Sequence, residues 1–432
     1  MLKTIIGNAG WLGLVQLLNY GLPFLTLPVI TRAFGSSIFG LFATMSAYAA
    51  YVGLITKFGF DLTGPRRLAR IRDDASAISD CVSTVVVSQL VLAAAASSLF
   101  VLILATVPVD ATWKLVTSIM LIETIANSLC PQWVFLGLER LRDFAMLQFC
   151  VRLATALLIA CLIRTPQDLT LLASIYAGAA IFAAFGSFVV LRLYGIRWRA
   201  PKAATIASTL GGAFGLFASS LAISLYTTTN VIIVTSVLGT SAGGTFALAD
   251  RLRQATSGVM GPITSAVYPF ICRISGRDET ADERRAKQFF FRTIALVSAV
   301  LSTTLFLFSG SIVQVVGGDG YQDAVLLLRW MAFLPFIIAL SNIFGIQTMI
   351  PMHLDRQLTC VVTAAAIIGV AGIFVFSRIW GLNGSGLAVL GVECLVTVAL
   401  GSIVAQKVSL RSLFFSETRS FLRPKGIDTP AA

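Results

Sequence analysis

Residues 203–249 contain no Asp, Glu, Lys or Arg. One helical crossing of a bilayer takes about 20 apolar residues. The run is therefore long enough for two crossings, folded back at Gly239-Thr240-Ser241-Ala242-Gly243-Gly244. A soluble domain is about a quarter charged. This chain of 432 residues is 12% charged and 57% hydrophobic, with a mean hydropathy of +0.87. It cannot cover its own surface with polar groups in water. Its charges fall in short, mostly basic bursts between long apolar runs, the pattern of a multi-pass membrane protein.

Extending that pattern predicts twelve spans, at about 8–31, 38–60, 81–107, 114–138, 144–163, 169–192, 207–238, 242–272, 292–316, 324–351, 357–377 and 383–406. The runs are too long for membrane strands of about 10 residues, so an all-α fold is expected. The first run, Ile5 to Thr31, exceeds the length of a signal-peptide core and reads as a retained helix. The longest connection, about 273–291, reads as an interfacial helix between two spans.

The basic residues orient the chain. With a cytoplasmic N-terminus, 23 Lys and Arg fall in inside segments and 4 (Arg32, Lys114, Arg164 and Arg378) in outside ones. Both termini are then cytoplasmic. The net charge of +12 reflects these loops rather than a nucleic-acid surface, so no nucleic acid is expected as a partner. Short outside loops leave no room for an external domain.

Phe34–Ala43 aligns with Leu238–Ala247 at an offset of 204, with five of ten positions identical. Both segments join the first and second helices of a six-helix set. An even number of spans separates them, so the two halves run parallel about an axis along the membrane normal. The expected organisation is a six-helix bundle at 1–202, a second at 203–408 and a cytoplasmic tail at 409–432.

No Walker loop, GxSxG, HExxH or other catalytic motif is present, and no enzyme activity or cofactor is expected. His353 is the one histidine, and the seven cysteines form no CxxC pair. They read as small buried apolar residues, and no metal site is expected.

Chemistry must then rest on polar residues inside the spans, where charge is costly and tends to face a cavity. These are Lys57, Glu123 and Arg152 in the first half and Asp250, Arg251, Arg253, Arg329 and Glu393 in the second. Asp250 and Arg253 share a helix face. Either they neutralise each other, or Arg253 meets an anionic substrate. Arg251 points elsewhere. Lys57 either snorkels to headgroups or contacts substrate phosphate. Glu123, Arg152 and Glu393 either pair with each other or bind a coupling ion, with Glu123 and Glu393 the ion-coupling candidates. Gln16 with Asn19, and Thr227 with Asn230, either line a cavity or bond between helices.

Several segments resemble one family. Asn8-Ala9-Gly10-Trp11 through Gln16-Leu17-Leu18-Asn19, then Leu22-Pro23-Phe24-Leu25-Thr26-Leu27-Pro28 and Thr31-Arg32-Ala33-Phe34-Gly35, resemble the opening of bacterial O-antigen and exopolysaccharide flippases. Gly64-Pro65-Arg66-Arg67-Leu68-Ala69-Arg70, Trp133-Val134-Phe135-Leu136-Gly137-Leu138-Glu139-Arg140, Gly244-Thr245-Phe246-Ala247-Leu248-Ala249-Asp250-Arg251 and Tyr268-Pro269 are similar to later parts of the same family. It lies within the multidrug/oligosaccharidyl-lipid/polysaccharide exporter superfamily. The resemblance implies two six-helix bundles around a central cavity, alternating access in the bacterial inner membrane, and a substrate of oligosaccharide on undecaprenyl pyrophosphate. Membrane lipids are implied partners, and a polysaccharide polymerase and a chain-length regulator are candidate ones. A cation-coupled multidrug antiporter on the same architecture is the alternative, with a polytopic polysaccharide-assembly enzyme behind it.

Overall fold

The structure is a computed structural model. It describes the backbone of residues 2–71, 73–108, 110–274, 280–407 and 413–414, and side chains from Phe24 onward with a few exceptions. Among the described residues there is no strand, and nine helical stretches are long and apolar enough to cross a membrane.

Those nine make eleven crossings, and one further helical stretch makes the twelfth. Leu2–Lys57 is broken at Gly35 (φ 65°, ψ 175°), and Asp355–Ala405 is broken at Trp380 and Gly381, so each holds two spans. Thr240–Gly258 with Gly261–Ile274 forms another, whose Asp250, Arg251 and Arg253 keep it out of a purely apolar count. The chain is thus an all-α, multi-pass membrane protein with the expected number of spans.

Two connections differ from expectation. The segment before span nine is not a separate interfacial helix. Ala281–Leu307 is one continuous helix, started by a capping box in which Thr280 accepts from the Glu283 N–H and Glu283 accepts from the Thr280 N–H. The Asp and Glu at its start suit the positive helix end, which extends the span about three turns toward water. Span four breaks between Leu129 and Gln132, where Pro131 removes a backbone donor.

The internal repeat is visible in the backbone. Gly239 (φ 92°, ψ 171°) has nearly the conformation of Gly35, a region open essentially to glycine alone. The two turns face each other. Ser36 bonds Ser241 at 2.7 Å and Ser37 bonds Thr240 at 2.8 Å. A Cβ on Gly40 would collide with the Thr240 carbonyl, and one on Gly244 with the Ser36 carbonyl. Each contact has its counterpart 204 residues away, as a two-fold exchange requires.

Three apolar cores show how the halves meet. One is shared: Leu27, Ile30, Phe34, Phe39 and Phe42 pack with Val234, Phe246, Leu248, Val316 and Tyr321 around the Gly35–Gly239 end. At the opposite, basic end the core splits. Phe60, Leu68, Trp133, Phe135 and Phe144 form one cluster, and Val267, Ile271, Phe291, Ile343 and Val404 form another. The halves are joined at one end and largely separate at the other. The basic end retains an apolar bridge through span seven, where Ala213 is buried in the first of these clusters and Phe58 stacks on Phe217 at 4.4 Å.

The cysteine expectation is corrected. Cys81 is buried and Cys130 half-buried, but Cys150, Cys161, Cys272, Cys360 and Cys394 are exposed. In lipid an exposed thiol pays no hydration cost, so apolar surroundings there do not require burial in protein.

Candidate functional site

Each half encloses its own cavity. The N-half cavity has two connected chambers of about 200 and 310 Å³, which share Asn127, Gln148 and Arg152. Thr26, Glu123 and Tyr176 line the first chamber, Lys57 and Asp61 the second. The C-half cavity has chambers of about 200 and 410 Å³ that share Tyr226, Ile338 and Glu393. Asn230, Asp250 and Arg253 line the smaller, while the larger is mostly apolar.

The intramembrane cations have distinct partners. Arg253 lies 2.7 Å from Asp250 by its terminal nitrogen, and its Nε donates to the same oxygen at 2.8 Å. The second Asp250 oxygen accepts from Gln254 at 2.7 Å. Of the two readings open in the sequence, the self-neutralising pair is the geometry present. Lys57 lies 3.3 Å from Asp61, both side chains 44% exposed at the rim of the N-half cavity. Arg329 is exposed, donates to Ser309 Oγ at 3.1 Å, and lines none of these four chambers.

Arg152 is different. It is half-buried, it faces both N-half chambers, and it makes no hydrogen bond or ion pair with another described residue. One turn before it on span five, Gln148 faces the same space. Across the cavity Asn127 donates to Glu123 at 2.7 Å, again one turn apart. A planar guanidinium is thus presented to a cavity whose other walls are amides, a carboxylate and hydroxyls. That set can fork onto an anion's oxygens and bond to neutral hydroxyls.

Glu393 and Asn230 line the C-half cavity, with Asn230 7% exposed. Glu393 lies within electrostatic reach of Arg253. Glu123 and Glu393 therefore sit in separate halves, not as a pair. Gln16 and Asn19 have side chains outside the described residues. Sequence reasoning missed Asn127, Gln148 and Tyr176. The first two carried a signal, since Glu123–Asn127 and Gln148–Arg152 are both i,i+4 pairs on apolar helices.

The family model described as polysaccharide biosynthesis protein matches residues 5–275. Two relatives, each named "Putative O-antigen transporter", span nearly the whole chain. The one from Escherichia coli (strain K12) is 27% identical over 391 residues, covering 90% of this chain and 94% of its own. The one from Shigella dysenteriae is 26% identical over 398 residues, covering 89% and 96%. Among solved structures, an inward-facing multidrug resistance MATE family transporter of the MOP superfamily superposes with a TM-score of 0.68 at 12% identity, over 91% of this chain and 96% of that one. An outward-facing one of the same description gives 0.60 at 13% identity, over 94% and 95%. These likenesses bear out the fold, and the family match bears out the resemblance read from the sequence. With more than half of its length matched, the chain belongs to the polysaccharide biosynthesis protein family.

Proposed function

We propose that this protein is a flippase that carries undecaprenyl-pyrophosphate-linked oligosaccharide units across the bacterial inner membrane, for O-antigen or exopolysaccharide assembly, by alternating access between its two halves. Its activity is transport rather than catalysis. The reading is supported by family membership, by the O-antigen transporter names of its relatives and by the polar cavities inside an apolar bundle. The halves are taken as 1–202 and 203–408, with 409–432 as a cytoplasmic tail and both termini cytoplasmic. The basic end then faces the cytoplasm, and the cavities open toward the leaflet where lipid-linked sugars are made.

The observation that carries the substrate class is Arg152. A lipid-linked sugar presents an anionic pyrophosphate, a polar glycan and an apolar tail. Arg152 suits the pyrophosphate, Asn127 and Gln148 suit sugar hydroxyls, and the tail remains in lipid. Charge-assisted hydrogen bonds contribute about 1.5–3 kcal/mol each. Losing the guanidinium therefore weakens substrate binding about tenfold or more. Lys57 at the rim is a second cation for the same group, while Arg253, held by Asp250, is assigned a structural role.

The test is gene deletion with complementation. Deletion should stop surface polymer while lipid-linked units accumulate on the cytoplasmic leaflet. Arg152→Ala, present in the membrane at the native level, should fail to restore polymer, and Arg152→Lys should restore part. Normal surface polymer in the deletion strain, with no second flippase present, would overturn the assignment. Export of a soluble cation against sodium or protons would instead favour the multidrug antiporter, for which Glu123 and Glu393 are the coupling candidates.

A further inference from the structure

Arg251 has no task in this scheme. It follows Asp250 on span eight but lines neither chamber of the C-half cavity. Its guanidinium carbon instead lies 5.1 Å from the ring centre of Phe39, at the start of span two in the other half. Phe39 is fully buried and meets Tyr321 edge-on, with centroids 6.3 Å apart. Asp250, next to it in the chain, already bonds Arg253 and Gln254.

We propose that Arg251 latches the two halves at the Gly35–Gly239 end by its hold on the Phe39 ring. The inference rests on the transport reading above. A cation within about 6 Å of a ring centre is attracted to its face. Phe39 belongs to the opposite half, so parting the halves takes its ring away from Arg251. The Ser36–Ser241 and Ser37–Thr240 bonds and the Gly40–Gly244 contact lie at the same end and break with it.

The test needs no substrate. Thr44 is 5% exposed and bonds Thr235 at 2.7 Å between the halves, so it becomes reachable only when this end opens. The full chain, with its five exposed cysteines changed to serine, carries Thr44→Cys and is labelled in intact cells by a maleimide that does not cross the membrane. Arg251→Gln and Phe39→Leu should each raise the labelling rate about threefold or more, the scale of one cation–π contact. The double variant should label no faster than the quicker single one, since both act on one interaction. Native labelling in both single variants at normal abundance overturns the latch, as does additivity of the two. If Arg251→Gln lowers abundance, Phe39→Leu, which removes the ring but keeps apolar volume, must give the faster labelling, and native labelling there overturns the proposal. Flipping is scored separately by surface polymer, so failure of the latch and failure of the flippase reading are distinct results.

Discussion

At the scale of single residues, the partners of the intramembrane cations separate structural from functional charge. Arg253 and Asp250 are 13% and 19% exposed and neutralise each other. Removing one partner of such a buried pair leaves an uncompensated charge and costs about 3–5 kcal/mol, while removing both is far milder. Arg253→Ala and Asp250→Ala should therefore each lower the amount of folded protein in the membrane, and the double change should restore much of it. Quantifying the membrane-embedded protein for all three variants checks this. Full abundance of both single variants would move Arg253 back among the substrate contacts. Arg152 shows the opposite logic. With no partner to lose among the described residues, its truncation should spare abundance and reduce transport alone.

At the scale of elements, the turns that begin spans two and eight carry the tightest demand on sequence. Helices in lipid gain little from burying apolar surface against each other, and small residues let backbones approach instead. Gly40 and Gly244 have no space for a side chain because each faces a carbonyl of the partner span. A carbonyl on a helix cannot swing aside as a side chain can. Gly244→Ala should push spans two and eight apart at this end and destabilise the protein by roughly 1–3 kcal/mol, the usual cost of overpacking. Gly211, which also lies in an apolar span, has open space around it and should accept alanine with little change. Thermal unfolding of the two variants in detergent would distinguish them. Equal midpoints would mean that the contact at Gly244 yields.

At the scale of the whole molecule, one shared core at one end and two separate cores at the other describe a protein joined at one face and largely parted at the opposite one. The arrangement has a directional consequence only once the membrane sides are known. In the proposed orientation the split end, which carries the excess of basic residues, faces the cytoplasm. Reporter fusions at residues 199 and 425 should read cytoplasmic, and one at 110 periplasmic. A periplasmic reading at 425 would require an odd number of spans and undo the two-bundle arrangement.

Much of this architecture was legible without coordinates, because the bilayer imposes its own arithmetic. Span number follows from apolar length, and all helices follow from the need to satisfy backbone groups in lipid. Even the repeat was readable at Gly35 and Gly239, since only glycine serves that backbone geometry. The spacing already put Asp250 and Arg253 on one face and Arg251 on another, but it did not determine what each face meets. Helix rotation and the approach of the other half decide that Arg251 meets Phe39 and that Arg152 pairs with no described residue. Local spacing names the faces of a helix, but only the packing of twelve helices determines which face meets a cavity, which meets the other half and which meets lipid.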